Sequence, residues 1–251
     1  MPGIDYQLLA NNYASDDVYA IGLFGSHARG DYGSYSDIDI VRFRELEEKP
    51  STNLVDGNFV VVSDASPAEV ETWFSSPEVV TRTIRGLTCA KPLIDPDGYL
   101  SRLIHRAQNF TWTAEMQSKA NLVAGDMMVG WIEEVQKSLE GLRRNDVGRM
   151  LNGKHGLTWG MLNVMRVKNG VLISGDNGSY LEVLEEMGAD STWSNFCREA
   201  FGVGGKYSLE EELTAGLRLY RLTLEMIAED LVPKHRNLVE EVVERITFES
   251  I

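Results

Sequence analysis

The chain has 251 residues, 43% of them hydrophobic and 25% charged, with a net charge of −14, which suits a globular protein of one large domain or two modest ones. That acidic balance argues against a non-specific nucleic-acid binder, which carries a basic footprint, and agrees with a cationic acceptor drawn to a negative cleft. No apolar run is long enough to span a membrane, positions 1–17 lack the features of a signal peptide, and Cys89 and Cys197 form neither a disulfide framework nor a metal set. The expectation is a cytoplasmic protein with no nucleic-acid or membrane partner.

In chain order, residues 6–13 predict a first helix with Leu8, Leu9 and Tyr13 as its apolar positions. Residues 18–24 predict a buried strand that runs straight into Gly25-Ser26. Gly25 lets a phosphate approach the backbone closely, and Ser26 offers a hydroxyl. A short helix starting there would expose free N–H groups to an anion, and Arg29 adds a charged donor. Residues 37–43 predict a second strand. Alternate strand residues share a face, so Asp37 and Asp39 project together. Paired acids repel, and a hard divalent cation is the usual reason for them: Mg²⁺ is held by one or two carboxylates plus substrate phosphates. A phosphate holder and a metal holder joined by one short loop suit phosphorus-group transfer from a nucleoside triphosphate, where catalysis is largely positioning and charge neutralisation.

Residues 44–53, charged and containing Pro50, predict a solvated loop, and 59–62 a third strand entered by a turn at Asp56-Gly57. Ser66-Pro67-Ala68-Glu69 predicts a capped helix start, the helix reaching about Phe74. Residues 92–98 predict a short strand closed by a turn. Beyond Tyr99 helical periodicity takes over, predicting helices over 100–109, 115–144, 157–168, 179–187, 193–201, 209–231 and 235–246, with Asn152-Gly153 breaking the chain before the third of these. The expected architecture is α+β: an α/β domain with a small mixed sheet over 1–98, then an all-α helical bundle over 99–251.

The set Gly25, Ser26, Gly33, Ser36, Asp37 and Asp39 resembles the signature of the polymerase-beta-type nucleotidyltransferase superfamily. The two-part plan is similar to that of kanamycin (aminoglycoside) and lincosamide nucleotidyltransferases. Asp97-Gly98-Tyr99-Leu100 falls where those enzymes leave their sheet, and the stretch from Trp131 through Asn145 resembles their long acidic helix. The resemblance implies Mg²⁺-dependent transfer of AMP from ATP, or of another nucleotide from its NTP, to a hydroxyl of a small antibiotic-like acceptor. It assigns Gly25, Ser26 and Ser36 to the nucleotide, beside the charged donor Arg29, and Asp37 and Asp39 to metal and catalysis. It also implies a third carboxylate on a neighbouring strand, a helical-domain glutamate as base, and an active site between domains, often across a homodimer.

Two of those roles lack a direct match. The third strand reads Phe-Val-Val-Val, so Asp64 just beyond it is the expected third metal ligand if that strand is bent or shifted in register; Asp56 flanks its other end. Glu133 and Glu134 point about 100° apart on a helix; Glu134 is the favoured base, with Asp126 and Glu140 next. Two other activities fit the same motif: a protein AMP-transferase of antitoxin type, and a nucleotide-binding homologue without turnover, which an acid-free third strand would allow.

Overall fold

The computed structural model describes residues 4–46 and 48–248. They divide into two compact units, Met1–Thr111 with Leu172–Asn177, and Trp112–Val171 with Gly178–Ile251.

The first unit opens with α1 (Tyr6–Asn11), whose N-cap Asp5 accepts from the Leu8 N–H. There follow β1 (Val18–Phe24), α2 (Gly25–Arg29), β2 (Ile38–Arg44), β3 (Ser51–Val55), β4 (Asn58–Ala65), α3 (Pro67–Ser75), α4 (Pro77–Thr88), β5 (Lys91–Ile94) and α5 (Tyr99–Gln108). Among the described residues five strands form one mixed sheet in the order β3-β4-β2-β1-β5, with β2 and β4 parallel and the other pairs antiparallel. Its α1–α2 face is packed by Leu9, Ala10 and Ala28 against Ile38, Ile40, Val60 and Val62. On the other face Phe43 meets Trp73 of α3 and Tyr99 of α5 edge-on or tilted. Gly22 lies so close to α5 that a Cβ there would come within 2.5 Å of Leu100.

The structure departs from the sequence expectation at three places in this unit. Part of the expected loop over 44–53 is β3, the edge strand. It forms because Asp56 and Gly57 take φ values of 49° and 80°, the two left-handed residues of a tight hairpin turn. An edge strand needs no apolar alternation, and Ser51 and Thr52 show none. The third strand, β4, runs on past Val62 and takes in Asp64. The helix α4 was not anticipated; Pro77 opens it, and Val80, Thr81, Ile84 and Leu87 line its buried side. The predicted start of α3 is observed, with the Ser66 hydroxyl accepting from the Glu69 N–H.

The second unit is helical: α6 (Ala114–Gly130), α7 (Ile132–Arg144), α8 (Val147–Lys168), α9 (Asp176–Glu186, its first two residues counted with the first unit), α10 (Thr192–Ala200), α11 (Leu209–Ile227), a 3₁₀ turn (Ala228–Asp230) and α12 (Pro233–Phe248). Met128, Leu157, Met161, Leu217 and Tyr220 are fully buried at its centre. The Tyr220 hydroxyl donates to the Met128 carbonyl at 3.2 Å, and the Trp193 indole to Thr223 at 2.8 Å. The expected single helix over 115–144 is two, broken at Trp131. Conversely α8 passes unbroken through Asn152-Gly153. Its glycines face α7: a Cβ on Gly153 would lie 2.1 Å from Ser138 Oγ, and one on Gly160 2.5 Å from the Trp131 ring. These residues therefore permit close helix packing rather than ending a helix.

Candidate active site

The register of β1 with β2 pairs Phe24 with Asp39. The chain turns immediately after Phe24, so Gly25 arrives beside the Asp39 carboxylate. A Cβ on Gly25 would sit 1.9 Å from Asp39 Oδ2, and Gly25 has φ +62°. Both facts require glycine: no other residue has room, and the left-handed conformation costs glycine nothing. The helix α2 starts at this point, so its first N–H groups lack intrahelical acceptors. The Ser26 side chain is half-buried beside them.

Asp37 lies within electrostatic range of Asp39. Asp37 is exposed just before β2, and Asp39 is half-buried within it. Burial first, and then the Asp37 charge, hold the Asp39 carboxyl above its usual range, while His27 and Arg29 pull it back down. The four groups thus share one electrostatic site. A divalent cation between the carboxylates would relieve both upward effects, so this donor pair fits a hard metal ion.

Ser36 braces the connecting loop: its hydroxyl accepts from the Gly33 N–H at 2.9 Å, and its own N–H donates to the Gly33 carbonyl at 3.1 Å. Arg29 donates from Nε to Asp31 and from Nη1 to the Ser174 carbonyl, each at 3.1 Å. His27 is buried, with Nδ1 sharing a 2.8 Å hydrogen bond with the Tyr6 hydroxyl and with Tyr32 stacked on its ring at 4.2 Å. This ties α1 and the signature loop together.

Asp64 is not brought to the pair, and its expected place as third metal ligand is corrected. The parallel register sets Val61 beside Asp39 and Asp64 beside Arg42, three residues further on and so on the opposite face. There the carboxylate, 1% exposed, is held by Arg42 Nε at 2.7 Å and Nη2 at 3.0 Å and by the Glu48 N–H at 2.8 Å. It anchors the loop after β2. Among the described residues no group of three acidic, His or Cys side chains is placed to hold a metal.

Glu134 belongs to the second unit. Lys137 holds its Oε1 at 2.7 Å, and its Oε2 is buried without a hydrogen-bond partner. The side chain lies over Gly156, where a Cβ would come within 2.8 Å of its Cγ. Glu133, the neighbouring candidate, is 76% exposed and ion-paired with the same lysine. Asp126 faces His235 at 3.3 Å, and Glu140 is paired with Arg143 and Arg144. Sequence reasoning missed Ser174, 145 positions from Arg29; nothing in Ile173-Ser174-Gly175 marks it.

Residues 9–84 match the nucleotidyltransferase domain family. No curated protein matches the chain. Among solved structures, a nucleotidyltransferase-like protein from Exiguobacterium sibiricum 255-15 is similar in fold, with a TM-score of 0.52 at 9% identity over 90% of this chain and 74% of that one. No helix among the described residues is long and apolar enough to cross a membrane. Residues 9–84, which hold the doublet at the end of β1 and the alternating acids of β2, thus form a nucleotidyltransferase domain of the polymerase-beta-type superfamily.

Proposed function

We propose that this protein transfers a nucleoside monophosphate, AMP from ATP in the first instance, to a hydroxyl of a small cationic acceptor of the aminoglycoside or lincosamide kind. The observation that carries this is the contact of Gly25 with Asp39, with Asp37 in electrostatic range. A glycine turn at the start of α2 abuts a carboxylate pair suited to a cation. Asp37 and Asp39 would hold Mg²⁺, which when bound supplies charge neutralisation at the triphosphate. The Ser26 hydroxyl, the first N–H groups of α2 and Arg29 would hold phosphate oxygens, and Ser36 would keep the loop in shape. Glu134 is the assigned base, taking the acceptor proton directly or through water. In this scheme the first unit carries the nucleotide chemistry and the second the acceptor.

The test is pyrophosphate release with each of the four NTPs and a panel of aminoglycosides and lincosamides. Release that needs both Mg²⁺ and one acceptor is expected, and Asp39→Asn should abolish it. No release with any pair rejects the acceptor class. One observation favours a second reading, a nucleotide-binding homologue without turnover: Val61 stands beside Asp39 where a third acid would be expected. That reading predicts Mg²⁺-dependent NTP binding and no release with any acceptor.

A further inference from the structure

Arg29 sits in the signature loop, but part of its hold comes from far along the chain. The segment Leu172–Asn177 packs within the first unit. Ile173 is 1% exposed and its N–H donates to the Thr81 carbonyl at 2.9 Å. The preceding Leu172 carbonyl accepts from Arg85 at 3.4 Å. Between these anchors and α9, the Ser174 carbonyl takes the Arg29 Nη1 donor at 3.1 Å. Gly175 follows with its Cα bare; even a Cβ there would stand 3.6 Å from Nη1. Asp31 holds Nε from the other side. Two of the three guanidinium nitrogens are thus fixed, and Nη2 has no partner among the described residues.

A surface arginine is normally a mobile chain that loses rotamer freedom when it binds an anion. Here that freedom is already gone, and a group held in its bound conformation binds with less entropic cost. A backbone carbonyl also fixes the guanidinium without cancelling its charge as a second carboxylate would. We propose that the Leu172–Gly175 strap is a positioning element of the nucleotide site, holding Arg29 so that its free Nη2 donors meet a phosphate oxygen. This rests on the assignment of Arg29 to the triphosphate made above. Ile173 and Ser174 act through Arg29 and need not touch the nucleotide themselves.

The experiment is a double-mutant cycle on Mg²⁺·ATP binding with wild type, Ile173→Ala, Arg29→Ala and the double variant, thermal melts confirming that each is folded. Ile173→Ala should weaken binding about fivefold, Arg29→Ala by more, and the double variant should match Arg29→Ala alone. Ile173→Val, which keeps the anchor, gives a smaller loss in the same direction and carries the cycle if the alanine variant does not fold. A strap that merely packs predicts either no change in wild type or the same loss with and without Arg29, and either result overturns the proposal. If wild type binds ATP but the losses add, only the strap is refuted. If wild type binds no NTP with Mg²⁺, the nucleotide-site assignment falls with it.

Discussion

A methyl group at position 25 has nowhere to go. Gly25→Ala places a carbon against Asp39 Oδ2 at a left-handed φ, so it must move either the turn or the carboxylate, and NTP binding should fall by about tenfold or more while the sheet stays folded. Asp39 itself is a liability in the metal-free protein. Burial and Asp37 raise its carboxyl, so the native state holds that proton more tightly than the unfolded chain and loses stability as pH rises through the folded value. Asp39→Asn should therefore raise Tm at neutral pH in chelator, and the gain should vanish below the ordinary carboxylate range; a lower Tm at neutral pH would refute this. Asp64 supports the fold instead. Its carboxylate is the buried partner of Arg42, so Asp64→Ala should cost about 3 kcal/mol in a denaturant titration and leave the metal dependence of NTP binding unchanged. At this scale Asp37, Asp39, Gly25 and Ser26 were legible because strand alternation and a glycine turn are local properties. The place of Asp64 was not, because it depends on the register of a parallel pair joined by a crossover, and no local pattern encodes that register.

Elements were legible where period or capping decided them and obscure where tertiary packing did. Ser66-Pro67-Ala68-Glu69 announces α3 through its own side chains. Asn152-Gly153 suggests a break, but α8 continues because α7 needs room beside it. Gly153 lies against Ser138 Oγ and, at 3.2 Å for a built Cβ, against the Glu134 carbonyl. Gly153→Val should lower stability by about 2 kcal/mol through overpacking, although valine is the better helix former. A substitution without effect on the melting curve would mean that α7 and α8 are less closely packed than they are here. The strand β3 escaped notice for the reverse reason: it lies at the edge, and what makes it a strand is the turn at Asp56-Gly57.

At the scale of the whole molecule, the signature loop is contiguous in sequence but its support is not. Arg29 leans on Ser174, and His27 on Tyr6. The change from strand to helix periodicity near residue 99 was visible in the sequence; that α5 still packs on the sheet, and that residues 172–177 return to the first unit, was not. Contacts of that range leave no local trace. All of this converges on one physical claim, that the Gly25-Ser26 turn and the Asp37–Asp39 pair hold a triphosphate through a shared cation. It is tested most directly by titrating wild type and Asp39→Asn with ATP, each with Mg²⁺ and with chelator. The account predicts that wild type binds only with Mg²⁺ and that the variant loses affinity by about tenfold or more, since removing a metal ligand costs at least what removing its support does. Equal affinities for the two proteins, or wild-type binding indifferent to the metal, would contradict it.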